Sequence, residues 1–288
     1  MSKVDPGVIV ARPARVRLFL FSLLVAQLAF SNETQAANAA NTVPIEVREK
    51  QPPRLAVKVD GIEVQLQFDL GDSTPLVLQK SVLDSIEAVP TGESTRRQGV
   101  DGVFEVPLYK VKRVQIGSAV FTDVIARLDA PRKGYDPPPH ERGFLGTGLL
   151  KSYRLVINYP QRTMTLMSAA PKVSSPACQG TVVPFLPQFG GEPVTNVDTD
   201  LGPAILWWDT GAPVSVLRKT FEQRADSKPS GDSLTTRRLV IGDVDFGPWD
   251  FERWDVDLPK FDGFIGFEFF ARHVVCVDFP GNRLIVER

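Results

Sequence analysis

The sequence is poor in cysteine and histidine, with two of each in 288 residues. There is no CxxC pair and no Cys/His cluster, so the pattern offers no zinc site, and no metal is expected. A Cys/His or Ser/His nucleophile would have to use His140, in the loop "GYDPPPHERG", or His273, at a strand edge. Neither has an evident partner. Two cysteines do not make a disulfide framework. Cys178 and Cys276 could pair in an oxidising compartment; a buried free thiol suits Cys276 in the apolar "HVVCVDF" equally well.

A charge excess is missing too. Lys and Arg number 33 against 34 Asp and Glu, a formal net charge of −1, which excludes a basic footprint for nucleic acid or anionic membrane. Long apolar runs are absent apart from "LFLFSLLVAQLAF" (18–30), too short to span a bilayer comfortably. It follows Arg12, Arg15 and Arg17 and precedes the small, polar "SNETQAANAA", the order of a secretory signal. With cleavage after Ala37-Asn38-Ala39, residues 1–39 read as a signal peptide, an uncleaved anchor being the alternative. The mature protein is then periplasmic or secreted, with no stable membrane insertion after signal removal.

Glycine and proline are plentiful, at 22 and 24 residues, which favours many turns and short strands over long helices. The chain also repeats itself. "GFLGTGLLKSYRLVINYPQRTMTLM" (143–167) aligns without a gap on "GFIGFEFFARHVVCVDFPGNRLIVE" (263–287). Upstream, "VQIGSAVFTDVIARL" (114–128) resembles "LVIGDVDFGPWDFER" (239–253), and "FDLGDSTPLVLQKS" (68–81) matches "WDTGAPVSVLRKT" (208–220). Three blocks occur twice in one order, which marks an internal duplication. The first copy covers 43–168 and the second 178–288, with the Pro-containing 169–177 as linker.

Strand signals dominate both copies. "RLAVKVDGIEVQLQF" alternates apolar and polar residues on each side of Asp60-Gly61, a hairpin signature. Ile62, Val64, Leu66 and Phe68 share one face, so Asp69 falls on the other, at the strand's end. In the second copy "VTNVDTD", a turn at Leu201-Gly202-Pro203 and "AILWW" lead to Asp209 in the same way. Acidic residues in "NVDTDLGP" belong to that turn rather than to a calcium loop, and "GTGLL" has no lysine to make it a phosphate loop.

Equivalent residues of two twofold-related lobes meet near the axis. Asp69 and Asp209 are equivalent, and Gly71 and Gly211 allow the tight turns that would aim both carboxylates into a central cleft. Two adjacent carboxylates share one proton, one group acting as base towards a water and the other as acid.

The twice-occurring Asp-x-Gly, with the apolar-apolar-Gly segments Phe144-Leu145-Gly146 and Phe264-Ile265-Gly266, resembles the aspartic peptidase superfamily (pepsin/retropepsin-like) in a single-chain, two-lobed form. The resemblance covers about residues 45–288. It implies a mainly β fold of two pseudo-symmetric acid-protease-type β-barrel lobes with an interlobe cleft. It further implies peptide-bond hydrolysis by Asp69 and Asp209 without a cofactor, with turns shaped by Gly71, Thr210 and Gly211. The expected partner is a polypeptide or peptide substrate, and one chain carries both aspartates, so a monomer suffices. The longer stretch from Asp69 to Gly117, compared with Asp209 to Gly242, leaves room for one flap, with Gly99, Val100, Asp101 and Gly102 at its tip and no tyrosine there; a surface loop, which shares these turn residues, is the alternative. Two departures stand out. Leu70 lacks the hydroxyl with which the family braces its lobes reciprocally, and Asp72 stands where a small or hydroxyl residue is usual. An inward Asp72 would raise the pair's pKa values; otherwise it would face solvent or cap the turn. These departures keep a second reading open, a catalytically weak or inactive protein of this fold that binds peptides or an envelope protein.

Overall fold

A computed structural model of the chain describes residues 41–99, 102–129, 142–168, 178–224, 231–254 and 260–288. The expected signal peptide 1–39, the expected linker 169–177 and His140 lie outside them.

The first copy forms β1 (Asn41–Pro44), β2 (Arg54–Val59), β3 (Ile62–Asp69), β4 (Leu76–Leu78), a short helix α1 (Lys80–Ser85), β5 (Val89–Gly99) and β6 (Gly102–Ile116). It continues with β7 (Ala119–Leu128), β8 (Gly143–Gly146), β9 (Tyr153–Asn158) and β10 (Thr163–Ser168). The second forms β11 (Thr181–Pro184), β12 (Val194–Thr199), β13 (Gly202–Trp208), β14 (Val216–Arg218), β15 (Ser233–Thr236) and β16 (Leu239–Ile241). After it come β17 (Val244–Asp245), β18 (Trp249–Trp254), β19 (Gly263–Ile265), α2 (Phe267–Phe270), β20 (Val275–Asp278) and β21 (Arg283–Val286). The protein is mainly β, as the turn-rich composition implies.

The first lobe is a sheet of order β2-β3-β8-β4-β7-β6-β5 in which β2 also pairs with β6, closing a ring from which β5 hangs. Closure leaves no free edge on the ring itself. The second lobe is an eight-stranded curled sheet, β15-β18-β14-β19-β13-β12-β16-β17. The duplication shows in the pairings. β3 runs parallel to β8 as β13 does to β19, and β4 lies antiparallel to β8 as β14 does to β19.

The first hairpin forms as its alternation requires. Asp60 and Gly61 both take positive φ, 45° and 89°, in a two-residue turn that matches the twist of β2 and β3. Val64, Leu66 and Phe68 are buried as the period of two demands, whereas Ile62, beside the turn, is exposed. In the second copy the register pairs Thr199 with Gly202, which moves the turn back onto Asp200 and Leu201.

A third sheet takes strands from both copies, in the order β1-β10-β9-β20-β21-β11. At its centre Asp278 is buried and accepts from Arg154 (3.1 Å) and Arg283 (2.9 Å). Cys178 and Cys276 form a disulfide that ties the segment before β11 to β20; of the two alternatives for these thiols, the structure takes the paired one. Among the described residues no helix is long and apolar enough to cross a membrane.

Candidate active site

Each aspartate sits where a core strand ends against the strand that crosses behind it. β3 delivers Asp69 beside Gly146 of β8, and β13 delivers Asp209, whose N–H donates to the carbonyl of Ile265 on β19 at 3.0 Å. Trp208, fully buried, anchors the end of β13 by donating from Nε1 to Thr195 Oγ1 at 2.9 Å and by edge contacts to Phe269 and Phe270. The two turns then repeat one scheme. Thr147 N–H donates to the Asp72 carbonyl (2.8 Å) as Phe267 N–H does to Ala212 (3.1 Å). Gly146 and Gly266 pass so close to these turns that a Cβ on either would run into backbone oxygens of residues 72–74 or 212–214.

Gly71 and Gly211 fix the approach of the two carboxylates. A Cβ on Gly71 would lie 2.6 Å from Asp209 Cγ, and one on Gly211 2.8 Å from Asp69 Oδ1. Only glycine lets each turn accept the other lobe's carboxylate. Asp69 and Asp209 meet there, each carboxylate lying against the other lobe's glycine turn.

The brace between lobes is one-sided. Thr210, buried, accepts from Leu70 N–H at 2.9 Å and donates to the Phe68 carbonyl at 2.8 Å. Leu70 has no hydroxyl to return these bonds, and its side chain is fully buried in the core instead.

Asp72 does both things the sequence left open. Its Oδ1 caps the turn by accepting from Thr74 N–H at 2.7 Å. Its Oδ2 pairs at 3.0 Å with Nη2 of Arg127, a buried arginine on β7. The charge still lies close enough to act on the aspartate pair. Burial raises Asp69 well above the usual carboxylate range, and the negative charges of Asp209 and then Asp72 push it further; one N–H, from Gly71 at 2.9 Å, opposes them. Burial raises Asp209 as well, against N–H donation from Gly211 (2.6 Å) and Ala212 (3.1 Å) and the hydrogen bond from Asp69. Asp209 has two backbone donors to Asp69's one, which favours the negative charge on Asp209 and the shared proton on Asp69.

The hairpin β5–β6 is long on the first lobe and has no counterpart among the described residues of the second. Gly99 pairs with Gly102 at its end, while Val100 and Asp101 lie outside the described residues. Beneath the hairpin, against Asp69, is a cleft of about 590 Å³ lined by Asp69 and the following turn, by Thr95, Arg96 and Leu108 of the hairpin, and by Ile125 and Arg127 of β7.

Three participants escape a reading of sequence alone. Arg127 meets Asp72 only through the barrel's pairing. Thr147 Oγ1 donates to the Asp72 carbonyl at 3.2 Å. Tyr159 is buried against Phe267 and Phe270, its hydroxyl unpartnered, and burial followed by the charges of Asp209 and Asp69 raises its pKa, keeping the phenol protonated. The one signal for it is Tyr159 facing Phe279 in the aligned copies.

Among solved structures the chain is similar to the crystal structure of the aspartic proteinase from Irpex lacteus, at a TM-score of 0.58, covering 86% of this chain and 97% of that one. Their sequences are 14% identical, so the likeness is one of fold. No protein-family model and no curated protein sequence matches the chain.

Proposed function

We propose that this protein is an exported aspartic endopeptidase that hydrolyses peptide bonds with a water activated between Asp69 and Asp209. The observation that carries the reading is the meeting of two buried carboxylates on equivalent turns, each against the other lobe's glycine, with burial raising both pKa values. Asp209 takes a proton from the water as its oxygen attacks the scissile carbonyl carbon, and Asp69 gives its proton to the carbonyl oxygen. The tetrahedral diol then collapses. Asp209 passes its proton to the amide nitrogen, the C–N bond breaks, and a diol hydroxyl returns a proton to Asp69. An extended polypeptide between the lobes, under β5–β6, would be held by main-chain hydrogen bonds. One chain supplies both carboxylates, so the monomer is the acting unit, and the N-terminal signal pattern supports export to a periplasm or the exterior.

The test is hydrolysis of a diverse peptide mixture from about pH 3 to about pH 8, followed by mass spectrometry. Cleavage at defined bonds is expected. The missing hydroxyl at Leu70 favours the second reading, a peptide-binding protein of this fold, and a folded protein that retains peptides yet cleaves none at any pH would establish it.

A further inference from the structure

The cleft beside Asp69 is walled by charge. Arg127 is only 8% exposed, its Nη2 is held by Asp72, and its Nε has no partner. Arg96, also lining the cleft, is exposed on the hairpin and makes no ion pair among the described residues. Its neighbour across the hairpin, Glu105, is engaged instead by the Ser94 hydroxyl at 2.6 Å. Asp72 is satisfied at both oxygens, by Thr74 N–H and by Arg127. On this wall the unmatched charge is therefore that of Arg96, apart from the aspartate pair itself. Leu108 and Ile125 are its apolar members, Ile125 being 40% exposed.

An apolar side chain entering here would strip water from a guanidinium and a buried ion pair and return no hydrogen bond, which is unfavourable. A cationic one would meet Arg96 and Arg127, with Asp72 already taken. A carboxylate can accept from Arg96, and the unpaired Nε of Arg127 adds to the favourable field. The methylenes of a glutamate would lie against Leu108 and Ile125.

Building on the peptidase reading above, we infer that this cleft is the specificity pocket for a side chain next to the scissile bond, and that it selects an acidic residue, glutamate foremost.

The inference is tested by binding rather than turnover. Reduced-amide peptides, which resist hydrolysis, would carry Glu, Gln or Leu on one or the other side of the reduced bond. Their affinities for the full protein and for Arg96→Gln would be measured by calorimetry. On one side the Glu peptide should bind about tenfold tighter than the Leu peptide, the size of one charge-assisted hydrogen bond, with Gln between. The preference should fall towards parity in Arg96→Gln and shrink with salt. Leu bound as tightly as Glu on both sides, a preference unmoved by Arg96→Gln, or no binding of any peptide would overturn it. Hydrolysis by the wild type and by Asp209→Asn separates this from the catalytic reading. Asp209-dependent cleavage with a Leu preference removes only the acidic pocket, and a Glu preference in a protein that cleaves nothing removes only the peptidase.

Discussion

Thr210 carries both hydrogen bonds of the lobe brace, and Leu70 carries none. Thr210→Val keeps the shape and leaves the Leu70 N–H and the Phe68 carbonyl buried without partners. It should destabilise the fold by about 2–4 kcal/mol, read as a lower denaturant midpoint with unchanged slope; a loss below about 0.5 kcal/mol, the range of neutral surface changes, would show that the brace contributes little. Asp72 acts through charge. Its carboxylate raises Asp69, which holds its proton in the proposed mechanism, so activity should be lost as pH rises through that raised pKa. Asp72→Asn removes the like charge and leaves Arg127 uncompensated. Both changes lower the pKa of Asp69, so the alkaline limb of kcat/KM against pH should move to lower pH. A limb that stays or moves up would contradict this electrostatic assignment.

At the scale of elements, the strands that lead to Asp69 and Asp209 are legible because a half-buried strand has a period of two and a glycine turn has a composition. The duplicated blocks then made the two aspartates equivalent. The hairpin β5–β6 was legible only as a surplus of residues with glycines, which a loose loop would share; ladder pairing decides between them. The Asp72–Arg127 pair was not legible, because it depends on which strand closes next to which, and no local pattern encodes that. The same holds for the six-stranded sheet, whose strands read alike whatever copy they pair with. Asp278 in β20 shows what that sheet adds. Burial alone would raise its pKa, but hydrogen bonds from Arg283 and Arg154 prevail and hold it below the usual value. A depressed pKa gives stability that is present above the unfolded value, about 3.9, and lost as pH falls through the folded one. Asp278→Asn should therefore cost more stability at neutral pH than near pH 3, measured by urea unfolding at both. An equal loss at the two pH values would mean that packing, not charge, is what Asp278 supplies.

For the whole molecule, the two lobes are coupled at three levels: the shared sheet with its buried Arg154–Asp278–Arg283 cluster, the Thr210 brace, and the facing carboxylates themselves. A contact between Asp69 and Asp209 exists only when both lobes are in register, and Gly71 and Gly211 leave no slack in that approach. Such an arrangement is costly, since it holds two buried carboxylates together and raises both pKa values, and in the proposed mechanism it keeps one acid and one base within reach of the same bond. Catalysis should then depend on both residues as a unit, each being useless without the other. The decisive measurement is peptide hydrolysis by wild type, Asp69→Asn and Asp209→Asn, each shown to be folded by its near-ultraviolet dichroism. Both single substitutions should reduce cleavage by at least about a thousandfold, with wild-type activity falling as pH rises through the pair's upper pKa. Cleavage that survives either substitution, or that is absent from the folded wild type at every pH, would contradict the assignment of Asp69 and Asp209 as a catalytic pair.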